Sequence, residues 1–169
     1  GLGFSTTPGS NLVTFNNGAI GNVEAATETQ LTVALTTPPT SAGPLNATLT
    51  INGVSGGSAT LVATVAPVVT PSSTPLAANA TSLTINGVGF STTPGSNLVT
   101  FNNGAVGTVT AATVNSLTVT LSVRPTVADN LTVVVSSNGV SSGAPVQVAS
   151  VIPVVTSNIE NLAANATTL

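Results

Sequence analysis

Residues 87–105 read GVGFSTTPGSNLVTFNNGA, and the chain opens with the same stretch, GLGFSTTPGSNLVTFNNGA, at residues 1–19. The two copies differ only where Leu2 corresponds to Val88. Near-identity at a fixed spacing is the sequence signature of a repeat protein. The stretch therefore predicts tandem copies of one small domain.

The same offset of 86 residues holds outward from this stretch. PVVT at residues 67–70 recurs at residues 153–156, and the LAANAT that begins at Leu76 recurs at Leu162. We call residues 1–66 the first unit and residues 67–152 the second unit. The offset predicts that the first unit is a repeat lacking its first two strands, that the second unit is a complete repeat, and that residues 153–169 are the first strands of the next repeat.

Charged residues make up 3% of the chain, and the net charge is −3. The single cation is Arg124, so the basic surface that binds nucleic acid is missing from the sequence. Hydrophobic residues account for 41% of the chain and alternate with polar ones, which argues against disorder. The anions are Glu24, Glu28, Asp129 and Glu160.

The apolar stretches are too short to cross a membrane. The longest, residues 148–155, is interrupted by Ser150 and Pro153, whereas a spanning helix needs about 20 apolar residues. We expect no membrane insertion. The chain does not begin with Met and shows no signal peptide, so we expect its ends to differ from those of the primary translation product.

The second unit has the pattern of an all-β domain. Short alternating runs are separated by turn signals, and this spacing is typical of a β-sandwich. Alternation places Leu117, Val119 and Leu121 on one face, with the same pattern between Leu31 and Leu35 in the first unit. We predict about seven strands per repeat, at residues 67–69, 82–86, 97–101, 105–112, 116–121, 130–135 and 146–151.

Asn-Gly pairs punctuate both units. Both residues tolerate positive φ, which tight hairpin turns require, so we predict turns at these pairs. For Asn86-Gly87 a bulge or bend is as well supported as a hairpin. The pairs begin at Asn17, Asn52, Asn86, Asn103 and Asn138.

The second unit resembles the IPT/TIG domain, an immunoglobulin-like sandwich of the E-set type. The resemblance rests on PVVT at residues 67–70, on LTINGVGF at residues 83–90, on VTFNNG at residues 99–104 and on the later Leu-Thr-Val strands. It implies the fold, but members of the family have many functions. Bacterial surface proteins carry such domains in long tandem arrays, so the resemblance implies an extracellular or cell-surface location.

The residue types for catalysis are missing. The sequence has no His, Lys or Cys to activate a nucleophile. Glu24 and Glu28 are the only neighbouring acids, and Thr110 and Val114 replace them in the second unit. We therefore predict that the protein is not an enzyme and has no catalytic residue and no cofactor.

A metal site is not expected either. Zinc and copper sites need His or Cys, and calcium sites need clustered oxygen ligands. Asp129 stands alone, and its counterpart in the first unit is Gly43. The sequence predicts no metal-binding residue.

Two functions remain open at this point, with a third less well supported. The first is a structural repeat of an extracellular fibre, stalk or filament that assembles head to tail into a linear polymer. The second is an adhesin or glycan-binding module on a repeat stalk, although the aromatic residues needed for a sugar platform look like core. An ice-binding face of Thr residues is the third. The aromatic residues are Phe4, Phe15, Phe90 and Phe101.

The junctions and ends of the repeats lead to two further expectations. Residues 146–155 run between units without a flexible linker, so we expect a stiff junction. Gly1 aligns with Gly87 inside a strand, so either the chain is a window on a longer protein or separate chains exchange strands head to tail. Both arrangements give an open polymer, with Leu169 within about 10–15 Å of Gly1 of the next copy.

Overall fold

The computed structural model describes residues 1–157, 161 and 163–168. Apart from two 3₁₀ turns at Pro8–Ser10 and Pro94–Ser96, the regular structure there is all β. No helix in these residues is long and apolar enough to span a membrane. The strands are β1 (Asn11–Phe15), β2 (Ile20–Ala26), β3 (Leu31–Thr37), β4 (Gly43–Ile51), β5 (Val54–Ser55), β6 (Thr60–Val65), β7 (Val68–Val69), β8 (Pro75–Ala77), β9 (Ser82–Val88), β10 (Asn97–Phe101), β11 (Val106–Thr113), β12 (Ser116–Val123), β13 (Asn130–Ser137), β14 (Val140–Ser141) and β15 (Val146–Ile152).

The second unit is an immunoglobulin-like β-sandwich, as predicted. One sheet has the order β10-β13-β15-β8, with β14 added at β13, and the other has the order β11-β12-β9-β7. Their inner faces enclose the core. Its largest fully buried side chains include Phe90, Ile85, Leu117 and Leu131.

Strand β12 confirms the predicted inward face. Leu117 and Val119 are fully buried and Leu121 is nearly so, whereas the Thr residues between them are exposed. Leu117 lies opposite Ile85, and Val119 lies opposite Leu83 on β9. The alternation works because successive side chains of a strand point to opposite faces of its sheet.

The first unit has fewer strands. One sheet contains β1, β4, β5 and β6, and the other contains only β2 and β3. Within a unit, corresponding pairs keep the same register: Asn11 lies opposite Ile51, and Asn97 lies opposite Ser137. The first unit therefore builds the same sheets without counterparts of β7, β8 and β9 among the described residues.

The predicted turns form at four of the five Asn-Gly pairs. Asn17, Asn52, Asn103 and Asn138 have φ between 49° and 56°, and the glycine after each also has positive φ. The prediction for Asn86-Gly87 was wrong, because both residues continue strand β9. The turn signal is overridden there by pairing, since Asn86 lies opposite Ser116 and Gly87 lies opposite Val69.

The prediction of seven strands missed β8 and β14 in the second unit. Strand β8 lies in a Pro- and Thr-rich stretch that resembles a loop, and it forms because Leu76 lies parallel to Val151 on β15. Strand β14 is the short return of the turn at Asn138-Gly139. The segment ahead of Gly87 therefore contributes three strands to the sandwich rather than two.

Candidate functional site

The acidic residues considered as catalytic or metal-binding candidates lie apart from one another at the surface. Glu24 on β2 and Glu28 in the turn after it are exposed. Asp129 is exposed and accepts a hydrogen bond from the backbone N–H of Asn130 at 2.7 Å. Glu160 lies outside the described residues. Within the described part of the chain, no three potential metal ligands form a group.

The four phenylalanines differ between the units. Phe90 is fully buried, and Phe101 is partly buried against the core of the second unit. Phe4 and Phe15, their counterparts, are half-buried and line a groove in the first unit. The expectation that these residues are core is met fully only by Phe90.

The groove runs between the two sheets of the first unit and has a volume of about 740 Å³. Its apolar lining continues along the edge strands β3 and β6. The lining includes Phe4, Val13, Leu31, Val33, Leu49 and Val62.

The groove lies where the second unit has its first three strands. In the second unit, β9 pairs with β12 and covers the core. The counterpart of β12 is β3, which pairs only with β2 among the described residues. Leu35 is consequently 45% exposed, whereas its counterpart Leu121 is 7% exposed.

The opposite sheet of the first unit has a matching open edge. In the second unit, β8 pairs in parallel with β15, and Ala78 donates its N–H to the Ile152 carbonyl at 2.9 Å. The counterpart of β15 is β6, which pairs only with β4 in the described part. Val62 on β6 is 54% exposed, whereas its counterpart Val148 is 4% exposed. The groove is thus an uncovered core with two open strand edges.

Residues 1–4 hold the position of residues 87–90 in the second unit, which are the last two residues of β9 and the two that follow it. Gly1 donates to the Thr29 carbonyl at 3.0 Å, and Phe4 donates to the Glu28 carbonyl at 3.1 Å. The corresponding bonds in the second unit run from Gly87 to Asn115 and from Phe90 to Val114. Residues 1–4 are therefore bound to the turn between β2 and β3 in the same way as residues 87–90 are bound to the turn between β11 and β12.

A second surface of interest is the junction between the units. Ala42 is 3% exposed and donates its N–H to the Gly89 carbonyl at 2.7 Å. The side-chain Nδ2 of Asn138 donates to the Ala42 carbonyl at 2.9 Å. Pro67, which connects the units, is fully buried. Both polar groups of the Ala42 backbone are thus satisfied by the second unit.

Two glycines allow the close packing at this junction. Gly89 has φ +81°, and a Cβ placed there would lie 3.3 Å from the Cα of Pro67. A Cβ on Gly87 would collide with the Val68 carbonyl and with the ring of Phe90. The two glycines of Gly-Val-Gly-Phe are therefore required by close packing and, at Gly89, by its positive φ.

Sequence reasoning did not identify Ala42 or Asn138 as junction residues. Asn138 has a counterpart in Asn52, and both appear in the sequence only as turn residues. Ala42 is a small residue in a loop without a motif. No signal in the sequence marks either one, because their contacts join positions 96 residues apart.

Comparison with known proteins identifies one domain. Residues 67–149 match the family model of the IPT/TIG domain, so the chain contains an immunoglobulin-like domain of the E-set type. Such domains are often used in surface or adhesion proteins and are generally non-catalytic. Searches of curated proteins and of solved structures found no match.

Proposed function

We propose that the chain is a structural segment of an extracellular or cell-surface fibre, stalk or filament, in which IPT/TIG-like units follow one another head to tail. The sandwiches themselves are the building material. Support comes from two related units in tandem, whose first 19 aligned residues differ at one position, and from the way in which the units are joined.

The junction at Ala42 is the observation that carries this proposal. Its backbone N–H and carbonyl both bond to the second unit, and the connecting Pro67 is fully buried. A flexible linker would instead be polar, exposed and rich in Gly and Ser. Contacts of this kind restrict bending between neighbours, which is what a stalk or filament needs.

The surface chemistry agrees with this role. With charges at 3% of the residues, the outer faces of the strands rely on Thr, as Thr118 and Thr120 do on β12. Thr combines β-branching with a polar hydroxyl and so suits an exposed strand face. A surface with so few charges depends only weakly on salt, which suits a location outside the cell, and we propose a bacterial cell surface.

Solution scattering from the 169-residue chain, combined with imaging of single particles, tests the junction. We expect one narrow distribution of the angle between the units. A broad distribution would contradict a stiff array. Substitution of Asn138 by Gly, which keeps the positive φ of the turn, should widen the distribution.

Labelling of the cells that make the protein tests the location and the assembly. Antibodies against the second unit should mark extracellular fibres along their whole length. Label confined to the tips of fibres would favour the adhesin instead, and label inside cells would contradict both.

A further inference from the structure

We propose that Asn79 is a glycosylation site, at which an oligosaccharide is attached to the side-chain amide nitrogen. Residues 79–81 read Asn-Ala-Thr, which is the Asn-x-Thr acceptor sequence for N-linked glycans in exported proteins. The inference goes beyond the proposed function and shares with it the expectation that the chain is exported. It is carried by the position of this sequence in the fold and by the exposure of its two polar side chains.

Asn79 lies in the turn between β8 and β9. The turn is closed by the N–H of Ala80, which donates to the Ala77 carbonyl at 2.8 Å. Both Asn79 and Thr81 are exposed. The Thr81 backbone is held by the N–H of Leu121, which donates to its carbonyl at 2.8 Å, but within the described residues no hydrogen bond engages the Thr81 hydroxyl or the Asn79 amide. The two groups that a glycosyltransferase must bind are therefore accessible together.

Two other Asn-x-Thr sequences lie in strands that have neighbours on both sides, β4 and β13. Asn46 is half-buried on β4, and its N–H donates to Asn16 Oδ1 at 2.8 Å. Asn130 begins β13, and its Oδ1 accepts from Gln147 Nε2 at 3.0 Å. A strand paired along both edges cannot bend into the site of another enzyme without losing its ladder bonds. The fold therefore favours Asn79 as the acceptor.

The internal repeat supports the same choice. The Asn-Ala-Thr of this turn recurs at residues 165–167, even though the residues between PVVT and LAANAT differ in the two places. The turn recurs with it. The strand sequences do not recur, because the offset of 86 residues leads from Asn46 to Thr132 and from Pro44 to Asn130. A glycan on this turn would thus follow the period of the repeat.

The attachment is a substitution at the first sugar of the oligosaccharide. The donor is an oligosaccharide linked through pyrophosphate to a membrane lipid, and the catalyst is a membrane-bound oligosaccharyltransferase. The Asn79 amide nitrogen bonds to C1 of that sugar as the bond from C1 to the pyrophosphate oxygen breaks. The nitrogen gives one proton to a base of the transferase, the lipid pyrophosphate leaves with the electron pair, and nothing is oxidised or reduced. The backbone bonds of Ala80 and Thr81 are kept.

Mass spectrometry of the protein recovered from the surface of the cells that make it tests the site. We expect peptides that contain Asn79 to carry a glycan on that residue, located by fragmentation. Thr81→Ala should abolish the glycan, as Asn79→Gln must, whereas Thr81→Ser keeps a hydroxyl and should retain it. Because both residues are exposed, circular dichroism should show that every variant folds. A glycan that persists in folded Thr81→Ala would overturn the assignment.

Asn130→Gln is the matched control, because it removes the same kind of sequence from a strand. It should leave the glycan on Asn79 unchanged, and peptides that contain Asn130 should be unmodified in the unaltered chain. Equal glycan occupancy of Asn130 and Asn79 would overturn the selection by the fold. An unmodified Asn79 would overturn the inference and leave the proposed fibre intact. The fibre fails instead if labelling finds the protein inside cells or if the angle between units varies widely.

Discussion

Phe4 and Phe90 occupy corresponding places in two nearly identical stretches, yet their surroundings differ. Phe90 is fully buried, whereas Phe4 is half-buried beside the groove. The same contrast separates Val62 from Val148. The difference arises because the second unit includes the three strands ahead of Gly87. Burial in this sandwich is therefore decided by strands that come from upstream, and identical local sequence does not produce identical burial.

The largest loss of stability should come from replacing Phe90 with Ala. Phe90→Ala should lower the free energy of unfolding of the second unit by about 3–5 kcal/mol, because it leaves a cavity in a closed core. Phe4→Ala should cost the first unit less than half as much. Chemical denaturation of each variant, with Asp129→Asn as a surface control, gives both values. Equal losses would mean that the two cores are equally closed.

Filling the groove with a peptide should reduce the difference in stability between the two units. A peptide with the sequence of residues 67–86 carries all three covering strands, including Ile85, which is fully buried in the second unit. At a hundredfold excess over its Kd, bound peptide should stabilise the first unit by about 2.7 kcal/mol. A rise in the melting temperature of the full chain measures it.

The control is the same peptide with Ile85 replaced by Asp, which should have no effect. A peptide with the sequence of residues 153–169 should bind at least about tenfold more weakly, because it has no counterpart of Ile85 and leaves that space empty. If the control peptide stabilises the chain equally, the groove is not acting as the seat of these strands.

Replacing the buried Asn of the loop before β1 or β10 should destabilise either unit. The buried Asn97 side chain accepts from Ser91 N–H at 3.1 Å and donates to the carbonyls of Ser91 and Thr93 at 2.8 and 3.1 Å. Asn11 makes the corresponding bonds within its own loop. Asn97→Ala and Asn11→Ala should each cost about 1–3 kcal/mol, because the loop carbonyls lose their side-chain donor. The Ser91 N–H keeps a second acceptor, the Ser137 Oγ at 2.8 Å. Chemical denaturation measures both free energies, and a loss outside this range in only one of the two variants would show that the loop depends on the missing strands.

The smallest change in free energy should come from removing a hydrogen bond at the junction between the units. Asn138→Gly removes the hydrogen bond to Ala42 but keeps the turn, so the coupling between units should fall by about 0.5–1.5 kcal/mol. Asn52→Gly is the matched control, because the same turn makes no contact with the other unit. Loss of cooperativity between the two unfolding transitions measures the coupling, and an equal change in the control would assign the effect to the turn.

Much of this fold could be predicted from the sequence because it depends on local periodicity. Alternation located β12 and its buried Leu117, and Asn-Gly pairs located four tight turns. Strand β8 was missed because its pairing partner, β15, lies about 75 residues away and gives a Pro-rich segment its strand conformation. Asn86-Gly87 was misassigned for a similar reason, since strand pairing prevails over turn propensity there.

The surfaces were less predictable than the strands. The offset between repeats showed that the first unit lacks the strands ahead of Gly87, although it gave two strands where the structure has three. It could not show that their absence leaves a continuous apolar groove of about 740 Å³. Nor could it identify Ala42, whose role comes from two backbone bonds to another unit. Ala42 takes part through its main chain alone, so its residue type gives no signal in the sequence.

The parallel pairing of β8 with β15 bears on how a unit resists being pulled. Tension along a tandem array would enter each unit near β7 and leave it after β15, close to the pair in which Leu76 lies beside Val151. Pulling the two ends apart would slide these strands past each other, so their hydrogen bonds would be loaded in shear and would have to break together. An antiparallel hairpin pulled at its open end would instead unzip one bond at a time. Under such tension, β8, a strand of only three residues, would hold the sandwich closed.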